Sequence, residues 1–341
     1  MKMNVRVVDN DEVVALLSMN ACIDLMDDAF KAYSKGECDI PLRSIIWLPD
    51  KSGGLGVMPG YFGPPESASE ALGLKVVTVF PKNEGTPYES HQGVVILFDV
   101  ENGRTLTILD ACEITTIRTA GASGAATRLL AREEASSLAI LGTGTQARSH
   151  LDAMLAVRPI KDVRIWGRNT DKAVAFATRE SKRLGLDVKP APKAREAVEC
   201  ADIICTVTGS REPILDGAWI KPGTHINAVG ACIPVARELD TEAVRNSRLY
   251  VDSRESAINE SGDYLIPLKE GAIHEDHIVG EIGDLLTGRI EGRRSAEEIT
   301  LFKSLGLAME DLVVAKYILA KAIKTEQGHD VIIGGCRRDE A

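Results

Sequence analysis

The run Gly142–Thr143–Gly144–Thr145–Gln146–Ala147 has the residue types and spacing of a turn that cradles phosphates. It follows the apolar stretch Ser137–Leu141, which reads as a buried strand, and opens a segment of helical spacing from about Gln146 to Ala156. In Gly-x-Gly-x-x-Ala the first glycine permits a tight turn and the second lets a pyrophosphate approach the backbone. The small third residue lets helix and strand pack closely. The helix start offers free N–H groups and a partial positive charge to the phosphates. These residues are therefore predicted to hold a dinucleotide. A second strand, Asp162–Trp166, runs into Gly167–Arg168–Asn169–Thr170. A site for NAD usually places an acid here, about 20 residues past the glycines, to hold the ribose hydroxyls. Arg168 would instead pair with a 2′-phosphate. Arg168 and Asn169 thus point to NADP(H), with NAD(H) as the alternative.

Three cations form a second constellation. Arg43 in Pro-Leu-Arg-Ser-Ile-Ile, Lys75 in Leu-Gly-Leu-Lys-Val-Val and Arg118 in Thr-Ile-Arg-Thr-Ala each sit among apolar or small residues. A cation in such surroundings is costly unless it meets an anion. That anion is a structural carboxylate or the carboxylate of a small ligand, and three cations together favour the ligand. Met58, in Gly-Val-Met-Pro-Gly, either lines the same place or fills core. His274–Glu275–Asp276–His277 has metal-binding residue types but no second ligand set at useful spacing, so it reads as a solvated loop and no metal is expected. Asp110–Ala111–Cys112 reads as buried thiol packing rather than as a nucleophile. Glu281–Ile282–Gly283–Asp284 reads as the capped start of a short helix.

Two rhythms of secondary structure must position these groups. In the first third, Asn20–Gly36 has helical spacing, and short strands are expected over Arg43–Leu48, Gly56–Tyr61, Leu72–Phe80 and Gly93–Asp99. Asn102–Gly103 marks a hairpin between Val94–Val100 and Thr105–Leu109, which suits an antiparallel sheet. From Ser137 onward strand and helix alternate. Helix-like Asp171–Leu184 separates two of the strands, and Leu186–Lys189, Ala201–Thr206, Thr224–Val229 and Arg248–Asp252 continue the series. That alternation predicts a parallel sheet. A helix over Thr115–Leu130 links the two rhythms, and Ser295–Lys324 reads as one long amphipathic helix returning to the first domain. The charged end, Cys336–Ala341, reads as frayed.

The bulk composition narrows the classes. The 341 residues suffice for roughly two domains and are 44% hydrophobic and 26% charged. The net charge of −10, without a dense basic run, argues against nucleic acid. The longest apolar stretches fall far short of the roughly 20 residues of a membrane span, and the N-terminus lacks the apolar core of a signal peptide. A cytoplasmic protein is therefore expected. Seven scattered cysteines without a CxxC pair read as free thiols.

Several motifs in order resemble one family. They are the glycine loop, Thr115–Thr116–Ile117–Arg118–Thr119–Ala120, Gly230–Ala231 followed by Pro234 and Arg237–Glu238–Leu239–Asp240, and Phe302–Lys303–Ser304–Leu305–Gly306. Together they resemble the ornithine cyclodeaminase/μ-crystallin family over nearly the whole chain. The resemblance implies an α/β fold: a Rossmann-type domain over residues 125–310, and an α+β domain for substrate and dimerisation built from residues 1–124 and 311–341. It implies homodimers and small amino or imino acid substrates. Arg43, Met58, Lys75 and Arg118 would hold the substrate, with Lys75 also near the reacting nitrogen. Thr115, Gly142, Gly144, Thr145, Gln146, Ala147, Arg168, Asn169, Thr206, Val207, Thr208, Val229, Gly230 and Ser304 would serve the cofactor.

One departure bears on the reaction. Cyclodeaminases of this family carry an aspartate shortly after the glycine of the Val-Gly motif, whereas this chain reads Val229–Gly230–Ala231–Cys232. A thiol holds no fixed charge at neutral pH and is a poor anchor for an ammonium. Lys75 and Cys232 are thus the candidate catalytic residues. The implied activity is NADPH-dependent reduction of Δ1-pyrroline-2-carboxylate or Δ1-piperideine-2-carboxylate to L-proline or L-pipecolate. Its rivals are ornithine cyclodeaminase, alanine dehydrogenase and cis-3-hydroxyproline dehydratase activity, and a non-catalytic NADPH-binding protein of the μ-crystallin kind.

Overall fold

The computed structural model describes residues 4–63, 70–83 and 85–334. The chain begins with β1 (Asn4–Val8), α1 (Asn10–Leu16), α2 (Met19–Ser34), β2 (Cys38–Asp39), β3 (Ser44–Trp47), β4 (Gly54–Phe62), β5 (Ala71–Val79), β6 (His91–Phe98), β7 (Thr105–Asp110) and α3 (Ala111–Leu130). Then follow β8 (Ser137–Leu141), α4 (Thr145–Val157), β9 (Asp162–Trp166), α5 (Thr170–Leu184), β10 (Val188–Pro190), α6 (Ala194–Val198), β11 (Ile203–Thr206) and β12 (His225–Ala228). The remainder is α7 (Thr241–Arg245), β13 (Arg248–Val251), α8 (Arg254–Glu260), α9 (Gly262–Lys269), β14 (Ile278–Glu281), α10 (Ile282–Leu286), β15 (Thr300–Lys303), α11 (Ala308–Thr325) and β16 (His329–Ile332). Two compact units result, Met1–Arg118 with Leu307–Ala341, and Thr119–Gly306. The divisions fall inside α3 and just before α11, a few residues ahead of the expected 124/125 and 310/311. The shift matters because it puts Glu310 in the first unit.

The first unit is an eight-stranded sheet in the order β16-β1-β7-β6-β5-β4-β2, with β3 pairing on β4. All pairings are antiparallel except β1 with β7. Helix α11 lies across β4, β5 and β6 and packs on α2. Its apolar face (Met309, Leu312, Val313, Ile318) is buried. β1 and α1 escape the sequence pattern above, although α1 carries a local signal. Asp9 Oδ1 accepts from Glu12 N–H and Glu12 Oε2 accepts from Asp9 N–H, both at 3.0 Å, a reciprocal cap.

The second unit is an all-parallel sheet in the order β10-β9-β8-β11-β12-β15-β13-β14. The first five strands follow the Rossmann order, with the switch point between β8 and β11. Strands buried on both faces read as continuous apolar runs, and β8 and β11 largely do so, whereas β12 buries His225 and Asn227 as well. That property explains a correction. The expected long helix over Ser295–Lys324 is a strand followed by a helix. Thr300–Lys303 is fully buried between β12 and β13, and helix begins only at Ala308. Ile299, Phe302, Leu305 and Met309 fall at helical spacing by coincidence, and a short apolar run does not separate strand from helix. Among the described residues no helix is long and apolar enough to cross a membrane. The expected frayed segment, Cys336–Ala341, lies outside the described residues.

Candidate functional site

In the first unit the predicted cations converge. Lys75 projects from β5, with Met58 on β4 as its cross-strand neighbour on one side and Val95 on β6 on the other. Lys75 and Met58 are buried, and so is Arg118 on α3. The anions that compensate them come from the first turn of α11. Asp311 uses both oxygens: Oδ2 lies 2.7 Å from Lys75 Nζ, and Oδ1 accepts from Arg118 Nε at 3.0 Å. Glu310 Oε2 accepts from Arg118 Nη1 at 2.7 Å, while its Oε1 accepts from the Leu307 N–H and caps the helix. Both acids are wholly buried. With Lys75 protonated these four side chains sum to zero charge. Removing one member would leave a buried charge uncompensated, at about 3–5 kcal/mol.

The electrostatics follow from this packing. Burial pulls the Lys75 ammonium from its ordinary 10.5 down to about 8; Asp311 opposes the fall and Arg118 adds to it. Burial disfavours the Arg118 charge too, but Asp311 and Glu310 outweigh burial and hold it well above its usual range. Cys22 on α2 is pushed far up by burial and stays a neutral thiol. The charge of Arg43 reaches Lys75 as well. Arg43 itself is half-buried and sits just before β3, outside the strand expected to contain it, and β3 is exposed throughout. Glu310 and Asp311 were missed from sequence. Their one local signal is an adjacent acid pair inside the otherwise apolar Leu307–Val314. Thr115, predicted for the cofactor, lies on α3 in the first unit with its hydroxyl buried. Cys112 is half-buried rather than buried, and its thiol donates to the His91 carbonyl at 2.9 Å.

In the second unit the remaining predicted residues gather at the carboxyl ends of the strands, where open α/β sheets place ligands. Gly142 follows β8 at φ 138°, and a Cβ there would lie 2.8 Å from the Val207 carbonyl. Only glycine fits this conformation and this approach of two loops. Gly144 is the N-cap of α4, with no side chain satisfying the helix start and open space beside it. Ala147 is buried where the helix crosses the strand. At the end of β11 the buried Thr206 hydroxyl has no partner among the described residues. An uncapped helix start, a glycine turn and an unpaired hydroxyl on one rim fit a dinucleotide. Arg168 is exposed beyond β9, whereas the Asn169 side chain caps α5 by accepting from Lys172 N–H at 2.9 Å.

The rim is held by buried ionisable groups that the sequence reading passed over. Glu238 accepts from Thr208 N–H at 2.6 Å, from the Thr208 hydroxyl at 2.7 Å and from Gly230 N–H at 2.7 Å, tying the loops after β11 and β12 together. Gly230 must be glycine, since a Cβ would lie 2.0 Å from the Thr208 carbonyl oxygen. Asp263 accepts from the backbone of Glu238 and Leu239 and lies 3.1 Å from Lys303 Nζ. Burial and the Asp263 charge push the Glu238 carboxyl up. Val229 and Ser304 are buried beside these loops, Ser304 N–H donating to the Ala228 carbonyl at 3.0 Å. Cys232 is half-buried, and its thiol donates to the Val229 carbonyl at 3.3 Å.

A Rossmann-ordered sheet with a glycine turn at its switch point, in one chain with an antiparallel unit bearing a buried Lys–Asp–Arg–Glu cluster, defines a two-unit dinucleotide-binding α/β protein. The chain belongs to the ornithine cyclodeaminase/mu-crystallin family, whose profile matches residues 3–326. It is 42% identical over 306 residues to the ketimine reductase mu-crystallin of Mus musculus, covering 89% of this chain and 92% of the relative. It is similar to the Thermococcus litoralis Δ1-pyrroline-2-carboxylate reductase solved with NADH and L-proline, at TM-score 0.92 and 41% identity, covering 96% of this chain and all of that one. It also resembles an archaeal alanine dehydrogenase dimer with bound NAD, at TM-score 0.90 and 31% identity, covering 97% of this chain and all of that one.

Proposed function

We propose that this protein reduces a small cyclic imino acid, Δ1-pyrroline-2-carboxylate or Δ1-piperideine-2-carboxylate, to L-proline or L-pipecolate. The observation that carries the reading is the near-complete likeness to a reductase solved with its nicotinamide cofactor and L-proline. When bound, NAD(P)H supplies the hydride. Arg43, Lys75 and Arg118 hold the substrate carboxylate, Arg118 through the Nη2 donors that Glu310 and Asp311 leave unused. Met58 packs against the ring. Lys75 gives its proton to the imine nitrogen as Cα receives the hydride, so a C=N bond becomes CH–NH. An acid brought near 8 suits that transfer at neutral pH. The Cys232 thiol, turned to the Val229 carbonyl, offers no fixed anion to a primary ammonium. That favours a preformed ring over the open-chain amine of a cyclodeaminase.

The second unit binds the dinucleotide through the Gly142–Ala147 turn and the rim at Thr206–Thr208, Val229–Gly230 and Ser304, with Arg168 selecting the 2′-phosphate. The protein forms a homodimer through β3 and the residue after it, where Ile45, Ile46, Trp47 and Leu48 are all exposed. The direct test follows NADPH absorbance with each cyclic imine, beside L-ornithine or L-alanine with NAD. Imine-dependent NADPH consumption is expected. Ammonia release from ornithine or alanine without imine reduction would replace the reading with a cyclodeaminase or an alanine dehydrogenase. Cofactor binding with no turnover on any of them would make the chain a binding protein.

A further inference from the structure

We propose that Asp311 is a positioning residue of the reaction: it keeps Lys75 protonated and aimed by bridging the Lys75 ammonium and the Arg118 guanidinium. The inference rests on the reading of Lys75 as proton donor and adds the group that makes Lys75 fit for the task. Its geometric basis is the division of labour at the start of α11. Asp311 spends one oxygen on Lys75 at 2.7 Å and the other on Arg118 at 3.0 Å. Glu310 touches Arg118 and the helix cap but does not bond Lys75. Asp311 is thus the sole carboxylate in contact with the ammonium among the described residues, and it fixes both cations from one wholly buried carboxylate.

The groups facing Lys75 set the sign of the effect. From α11 come Asp311 and, one residue away, Glu310; from α3, Arg118; from the segment before β3, Arg43; from β6, His91, which feels the Lys75 charge; and from α2 the neutral Cys22 thiol beside the acids. Burial and the two arginines all discharge Lys75, and Asp311 opposes them. Neutralising Asp311 leaves the discharging influences unopposed. Lys75 then loses its proton at lower pH, and the alkaline limb of activity moves down with it. A carboxylate at this distance moves a partner by about one pH unit or more.

The test is the pH profile of kcat/KM for Δ1-pyrroline-2-carboxylate with NADPH, in the full-length protein and in Asp311→Asn, Glu310→Gln and Lys75→Met. Asp311→Asn is expected to move the alkaline limb down by about one pH unit, and Glu310→Gln by less than half as much. NADPH binding, read by its fluorescence, and thermal unfolding report whether the variants are folded. Asp311→Glu, which restores the charge, is the second variant and is expected to return the limb toward its original position. The titration of the imine itself is common to all variants and cancels in the comparison. A folded Asp311→Asn with an unmoved limb, while Lys75→Met is inactive, overturns the inference and leaves the Lys75 reading standing. A Lys75→Met variant that still reduces the imine overturns both. Equal shifts in Asp311→Asn and Glu310→Gln also overturn it, because the effect would then belong to general charge rather than to the bridge.

Discussion

Arg168 is exposed past the end of β9. A guanidinium meets a phosphate as an oppositely charged, bidentate acceptor, which a ribose hydroxyl is not. Such a bond contributes about 1.5–3 kcal/mol, or roughly tenfold to a hundredfold in affinity. Arg168→Ala should therefore lower kcat/KM for NADPH by at least about tenfold and change that for NADH little. The relatives solved with NADH and NAD make the paired measurement necessary. An unchanged NADPH:NADH ratio would remove Arg168 from the cofactor site. Part of the candidate site was legible in the sequence. The glycine turn announces itself because its first demand is local: Gly142 sits at φ 138°, a conformation that glycine alone takes without strain. The counterions of Lys75 and Arg118 were hidden because the Arg118–Asp311 bond spans 193 positions. A buried cation in a sequence shows that an anion is needed, but gives no sign of whether protein or ligand supplies it. For Lys75 and Arg118 the structure supplies it from the protein, through Asp311 and Glu310.

Among elements, the strand at Thr300–Lys303 and the helix at Ala308 were read as one because a strand buried on both faces loses the alternation that identifies strands at a surface. The same doubly covered sheet carries two buried histidines. His150 on α4 meets the Ser123 hydroxyl at 2.9 Å and the Gln146 carbonyl at 2.8 Å, and burial brings it down to about 4. His225 on β12 meets the Thr300 hydroxyl, and burial followed by the Arg293 charge brings it down to about 3. Both folded values lie below the ordinary 6.5, so the unfolded chain takes up protons first as pH falls. Stability is therefore full above about 6.5 and declines from there toward 4. Each histidine contributes a slope of about 1.4 kcal/mol per pH unit inside its window. Urea unfolding between pH 7 and 4.5 should show this decline, and His150→Gln should remove close to half of it. An unchanged slope in that variant would show that His150 is not the titrating group.

For the molecule as a whole, the exposed apolar run at β3 is the basis for expecting a dimer. Four successive apolar residues, Ile45–Leu48, are exposed, Ile46 at 66%, along and just past a strand that pairs with β4 alone among the described residues. Contiguous apolar patches of this kind mark association surfaces. Light scattering should give a mass about twice 36.7 kDa, and a Trp47→Lys, Ile46→Lys double variant should give the single mass with its cofactor binding intact. A monomeric parent protein would exclude the dimer at once.

The first unit has a further consequence for how the protein is made. Its sheet is completed by β16 pairing with β1, Asn4 opposite Ile332, and its buried cations are answered by acids at Glu310 and Asp311. A ribosome delivers Lys75 and Arg118 long before either acid. Until α11 emerges, burying those cations would strand two positive charges in an apolar interior. The contiguous second unit, Thr119–Gly306, is therefore expected to close before the segment made ahead of it. Limited proteolysis of ribosome-bound chains stalled before α11 has emerged should spare the second unit and cut the first segment; equal resistance of both would refute that order.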